Sequence, residues 1–278
     1  MNTLLFRGIA FSLFILLRAC PVQAESAGLL AGLDGVYDKL AAETIKSPPA
    51  VCMIDMTHPD TVREAMKKPA GQGHLAYLDR IRTRVPELSG LRCVIIHYTQ
   101  VTAENLPKTN FKALLIDRID KNINKDYLEQ FYRIVRETRL PAIGFCGGHQ
   151  LIAQAFGGKS GYMRKLRPGE EDLRPSYQPG QFKEWGFYPV RIVKRDRLFD
   201  GLGDQITVQE YHAWEIKKLP DEFEVLAATD ECPIQTIKHK TRLLYGTQFH
   251  PEAYDDEHPD GKKLLQNFFT IAGLRAKN

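Results

Sequence analysis

Along the first half of the chain, short apolar runs bounded by turn-forming residues alternate with stretches whose apolar positions recur every three or four residues. Residues 50–54, 92–96, 113–116 and 140–143 are the apolar runs, and their length and composition predict buried strands. Between them, helical spacing predicts a helix near 75–84 and another over 126–138, where Leu128, Phe131, Tyr132 and Val135 share one face. Strands alternating with helices predict an α/β fold, a central, mostly parallel sheet flanked by helices on both faces. Upstream, Leu29, Leu30, Leu33, Val36, Tyr37 and Leu40 also have helical spacing, which predicts an amphipathic helix between Glu25 and Lys46, closed by Ser47-Pro48-Pro49.

The pattern changes after residue 160. Residues 160–181 are rich in Gly, Pro, Arg and Glu without periodicity, and read as a long loop or flap. Short strand-like runs follow at 185–190, 206–208, 223–227, 234–237 and 243–245, spaced as antiparallel hairpins are. A last amphipathic helix is expected over 262–272, with Leu264, Leu265, Phe268 and Phe269 packing on the domain.

Chemistry enters at Gly144-Phe145-Cys146-Gly147-Gly148-His149-Gln150, between the run at 140–143 and a helical segment that Gly157-Gly158 ends. Cys146 thus falls on a sharp strand-to-helix turn, and the flanking glycines permit backbone angles and close approaches that a Cβ forbids. The start of a helix favours the thiolate, the form that attacks a carbonyl carbon. The Gly147 amide then points at the developing oxyanion. In a parallel sheet this position lies at the carboxyl ends of the strands, where ligands collect.

A cysteine nucleophile needs a base, and His250 in Tyr245-Gly246-Thr247-Gln248-Phe249-His250-Pro251-Glu252 sits at the end of a strand-like run. Glu252, two residues on, is placed to orient the imidazole. Either segment alone reads as a structural bend; together, in this order, they read as catalysis.

These stretches, with Glu210-Tyr211-His212, resemble the class I glutamine amidotransferases of the Cys-His-Glu type, over most of the chain from about Pro49 onward. The resemblance implies the flavodoxin-like fold of that family. It also implies Cys146 as nucleophile, His250 as base and Glu252 as its partner, with Gln150, Tyr211 and His212 lining a glutamine pocket. One segment departs from the family. Where a Ser-Gly-Gly-Pro-like loop usually supplies the second oxyanion-hole amide, this chain has Asp117-Arg118-Ile119-Asp120. The hole is therefore assigned to Gly147 with Arg118 and Ile119, and Arg118 offers a charged donor in place of the glycine loop.

Composition and address narrow the function. With 278 residues, 43% hydrophobic and 26% charged, and a net charge of +4, the chain has no basic block of the kind that binds nucleic acid. Arg7 and the apolar run at 8–17, ending before Val22-Gln23-Ala24, read as a secretory signal over 1–24. The expected organisation is a leader at 1–24, a helix and linker at 25–48 and one domain at 49–275. That address is periplasmic or secreted, with lipid attachment at Cys20 or a cytoplasmic location as alternatives, and no membrane span after the leader is removed. None of the five cysteines has disulfide-framework or zinc spacing. The His250, Glu252, Asp255, Asp256, Glu257, His258, Asp260 cluster reads as an exposed acidic loop rather than a metal site, and no cofactor is expected.

The resulting expectation is a stand-alone thiol hydrolase acting on glutamine or a γ-glutamyl amide or peptide, similar to the γ-glutamyl hydrolases. A glutaminase subunit with a separate synthase partner is the less favoured reading. A binding module that has lost turnover and a broader cysteine peptidase are the others.

Overall fold

A computed structural model describes residues 28–69, 71–119 and 123–274. The expected leader at 1–24 lies outside the described residues, as do Cys20 and Asp120. Among the described residues nine strands form one sheet, in the order β2 (Arg92–His97), β1 (Ala50–Met56), β3 (Phe111–Ile119), β4 (Ala142–Phe145), β11 (Leu244–Thr247), β10 (Thr236–His239), β9 (Phe223–Ala228), β6 (Glu184–Ile192) and β7 (Gln205–His212).

The parallel half is built from β1 (Ala50–Met56), β2 (Arg92–His97), β3 (Phe111–Ile119) and β4 (Ala142–Phe145). Helices α1 (Pro59–Met66), α2 (Gly73–Ser89) and α3 (Lys125–Glu137) connect them, and α4 (Gly147–Ala155) follows β4 directly. Local chemistry sets the helix ends. Asn124 accepts a hydrogen bond from the Asp126 amide at the start of α3 at 2.9 Å, and Gly90, at φ 73°, closes α2 in a left-handed turn. Alternation along β1 divides the core in two. Cys52, Ile54 and Met56 pack with α3 and α4 on one face, and Val51 and Met53 pack on the other with Leu78, Ile81 and the final helix.

The second half is antiparallel. After β5 (Lys159–Tyr162) come β6 (Glu184–Ile192), β7 (Gln205–His212), β8 (Trp214–Lys218), β9 (Phe223–Ala228), β10 (Thr236–His239) and β11 (Leu244–Thr247), then α5 (Asp260–Ile271). β11 returns parallel to β4, Gly246 beside Gly144 and Thr247 beside Phe145, and so delivers the segment after it to the nucleophile turn. β5 and β8 form a separate small ribbon that pins the start of the long loop.

One expected element takes another form. Among the described residues of 25–46 the chain runs mostly as turns, with a short 3₁₀ segment at Leu40–Ala42. Gly32 and Gly35, at φ 78° and 83°, interrupt the helical spacing, and Leu33 and Leu40 are buried from a turn rather than from a helix face.

Candidate active site

Cys146 is the N-cap of α4 and has φ 48° and ψ −103°, a backbone conformation that side chains with a Cβ avoid. Holding it there costs about 1–3 kcal/mol, which the surrounding contacts supply. Its amide donates to the Thr247 carbonyl at 2.8 Å, and its carbonyl accepts from the Gln150 amide at 3.2 Å. Two glycines make the turn sterically attainable. A Cβ on Gly148 would lie 2.2 Å from the Ile116 carbonyl oxygen, and one on Gly144 would lie 2.5 Å from the Gly148 carbonyl carbon. The first turn of α4 is therefore pressed against the end of β3.

His250 lies just beyond β11, and its amide donates to the Gln209 carbonyl of β7 at 2.8 Å, so a second strand holds it. Its Nδ1 is 2.6 Å from Glu252 Oε1, and the side chains are nearly inaccessible to water. Burial alone pulls the imidazole pKa down, but Glu252 and a hydrogen bond to the Cys146 thiol hold it well above its ordinary value. The structure thus brings together Cys146, His250 and Glu252, the three residues expected to act as a set. Arg84 of α2 donates to the Glu252 carbonyl oxygen and lies 3.9 Å over the Tyr254 ring, tying the carboxylate's backbone to the parallel half.

Gln248 is a site residue that sequence reading passed over. Its side-chain nitrogen lies 3.6 Å from Cys146 Sγ, and its Oε1 accepts from Gln150 Nε2 at 3.0 Å. Gln150 Nε2 also donates to the Trp214 carbonyl at 3.1 Å. That backbone carbonyl accepts only, so it sets the direction of both amides and leaves the Gln248 NH₂ facing sulfur. Gln150 therefore reaches Cys146 through Gln248 rather than by a direct bond.

Strand alternation separates the remaining candidates. The Tyr211 ring is 5.8 Å from that of His250. His212 points to the other face, with Nε2 2.9 Å from Glu184 and 3.1 Å from Glu210, and Nδ1 3.0 Å from the Trp214 carbonyl. Gly147 starts α4 beside the thiol, and Arg118 and Ile119 lie in the last residues of β3; their side chains are outside the described set. His149 is fully buried, 3.2 Å from the Ile234 carbonyl, and burial pushes its pKa down to about 3, so it is neutral and faces the sheet.

Two groups among the described residues bring potential metal-ligand atoms within 4.8 Å of one another, Glu184–His212–Cys232 and Asp55–His74–Asp117. In the first, Glu184 already accepts from His212, Gln235 and Thr229; in the second, Asp55 accepts from Tyr37, His74 and the Thr57 amide. The sequence cluster beyond His250 does not form such a group, and its Asp255 is spent on His258 at 2.9 Å.

The family model for class I glutamine amidotransferases matches residues 80–272. Among curated relatives, the glutamine-hydrolysing GMP synthase subunit of Pyrococcus abyssi is 38% identical over 137 residues, 49% of this chain and 63% of that protein. Its counterpart in Pyrococcus furiosus is 35% identical over 150 residues, 54% of this chain and 70% of that protein. The match to the glutamine-hydrolysing GMP synthase of Clostridium novyi, 31% identical, covers 72% of this chain but 35% of that longer protein. A solved structure from Thermoplasma acidophilum, described as a candidate subunit of GMP synthase, superposes with a TM-score of 0.60 at 25% identity, covering 82% of this chain and 95% of that one. A Thermotoga maritima glutamine amidotransferase, at TM-score 0.50 and 15% identity, shares the fold.

Proposed function

The chain belongs to the class I glutamine amidotransferase family, and from that premise we propose that it hydrolyses the side-chain amide of glutamine through a thioester on Cys146 and passes the ammonia to a separate synthase. The observation that carries the chemistry is the elbow itself, with the Cys146 sulfur among the groups that hold the His250 proton and Glu252 2.6 Å behind the imidazole. Cys146 sulfur attacks the γ-carbonyl carbon, and the negative charge that develops on oxygen meets the Gly147 amide at the helix start. The C–N bond breaks as His250 gives its proton to the departing nitrogen. Water then attacks the thioester, His250 takes its proton, and glutamate leaves.

The choice of an ammonia-accepting partner rests on relatives whose names describe one component of a synthase. It reverses the order suggested by sequence alone, in which a stand-alone γ-glutamyl hydrolase came first. That second reading keeps one observation of its own, an exposed aromatic surface beside His250. The leader expected at 1–24 bears on the choice, because an exported chain has no access to a cytoplasmic synthase. Among the described residues no helix is long and apolar enough to cross a membrane.

The test is a glutamine-mimicking, cysteine-directed affinity label, with adduct mass and ammonia release read for the native chain and for Cys146→Ala. Labelling and turnover that both vanish in the variant support the thiol mechanism; an unlabelled native chain sinks it. Turnover that rises on adding a candidate synthase supports the partner, and full turnover without one favours the stand-alone enzyme.

A further inference from the structure

Facing partners on β6 and β7 put Trp185 opposite Tyr211, on the sheet face opposite the buried Glu184–His212 pair. The two rings are 5.0 Å apart, and Tyr211 is 5.8 Å from the catalytic imidazole while 41% exposed. Tyr177 continues the row 5.8 Å beyond Trp185, and the Arg174 guanidinium lies 5.7 Å from the Trp185 ring. An aromatic wall therefore runs outward from His250 to the surface.

The loop that contributes Tyr177 is held in place rather than left to order around a ligand. Leu166 and Gly180 are bonded backbone to backbone at 3.0 Å, as are Phe182 and Arg164 at 2.9 Å. Arg164 binds Glu170 at 2.6 Å and Glu231 at 2.7 Å, and Lys183 binds Asp172 at 2.6 Å. Such a wall meets a ring at little ordering cost.

The position of the wall says which part of a substrate it meets. His250 protonates the departing nitrogen, so that nitrogen sits between Sγ and the imidazole, and whatever it carries extends past His250. Ammonia carries nothing and has no use for an aromatic surface. We propose that the Tyr211–Trp185–Tyr177 wall binds the amine half of a γ-glutamyl amide whose amine bears a planar ring, and that the site hydrolyses such amides as well as glutamine. The inference rests on the Cys146 thiol-amidase chemistry proposed above. Each turnover consumes one γ-amide and one water, and yields glutamate and the protonated aromatic amine, through the thioester and proton transfers already described.

Two amides of primary alkylamines that differ by the ring are compared, γ-glutamyl-ethylamide and γ-glutamyl-phenethylamide. We expect kcat/KM for the phenethylamide to exceed that for the ethylamide at least about tenfold, since offset and edge-to-face ring contacts add to simple burial. Trp185→Ala and Tyr177→Ala should bring that ratio below about threefold; circular dichroism checks their fold, and Tyr177 on its loop is the safer site. Calorimetry with Cys146→Ala reads the same preference as a ratio of affinities without requiring turnover. Equal values for the two amides in both measurements overturn the inference while leaving glutamine hydrolysis intact, and would reassign the wall to another occupant. Failure of the affinity label on native protein removes the underlying thiol chemistry instead, so the two failures are told apart.

Discussion

Two buried imidazoles, His250 and His212, sit beside glutamates, and both are held above the ordinary histidine range. They differ in what the second ring nitrogen meets. His250 spends Nδ1 on Glu252, and the Cys146 sulfur is also among the groups that hold its proton. His212 spends Nδ1 on the Trp214 carbonyl and Nε2 on Glu184 and Glu210, so none of its hydrogen-bonding capacity is open to a reacting atom. On the proposed reading, a carboxylate–imidazole pair serves catalysis only where it stays open to a nucleophile; closed on both sides, it is a structural brace.

Removing His250 should break that contrast most severely. His250→Ala is expected to lower glutamine hydrolysis about 10⁴-fold or more, read as kcat/KM by ammonia release, with folding retained by circular dichroism. A loss under tenfold would mean another base serves Cys146. Glu252→Gln keeps the shape but removes the charge that favours the correct tautomer, so kcat should fall about 10³-fold. If the rate hardly moves, Glu252 is not the partner its 2.6 Å contact implies.

At the brace the damage should appear in stability. His212→Phe leaves Glu184 and Glu210 buried without their cation, and denaturant titration should show a loss of about 3–5 kcal/mol. Turnover per folded molecule should suffer less than in Glu252→Gln; the opposite ranking would return His212 to the substrate pocket.

The brace also makes a pH prediction. Burial pushes the Glu210 carboxyl up to about 7 despite the pull of His212. Burial works against the His212 proton, but Glu210 and Glu184 prevail and raise its pKa to about 10. In both cases the folded chain holds the proton more tightly than the unfolded one. This stability is therefore complete below the unfolded values of 4.5 and 6.5, and is lost as pH rises through about 7 and then about 10. Thermal melts should show Tm falling over that window, and Glu210→Gln should flatten the first part; a Tm that rises from pH 6 to pH 8 in both proteins would contradict the assignment. The smallest effect is expected at the sulfur. Gln248→Leu removes the amide that faces Cys146 at 3.6 Å, and alkylation of Cys146 by a small electrophile should be several-fold slower. An unchanged alkylation rate would make Gln248 a spacer.

Legibility in the sequence followed the range of the interactions. The strands of the parallel half and helices α3 and α5 were readable because period and turn residues are local signals. The pairing of Cys146 with His250 was readable from motif order, although 104 positions separate them, counting from 146 to 250. Gln248 was not readable, because its contact with sulfur depends on β11 lying in register beside β4. The stretch before Ser47 misled because an apolar period says which residues are buried but not whether glycines let a helix form; Gly32 and Gly35 did not. Tyr211 and His212 were grouped by motif, yet the two-residue period of a strand sends adjacent side chains to opposite faces, and that rule is what separates them here.

The positive φ at Cys146 also concerns time. The peptide backbone adopts this conformation as the chain folds, before any substrate is present, and Gly144 and Gly148 leave it little room to relax. Aiming the thiol is thus part of folding rather than a step in each catalytic cycle. A protein arranged in this way spends no conformational change on its nucleophile, so the empty enzyme and the substrate-bound enzyme should present the same sulfur, at the same angle, to whatever arrives.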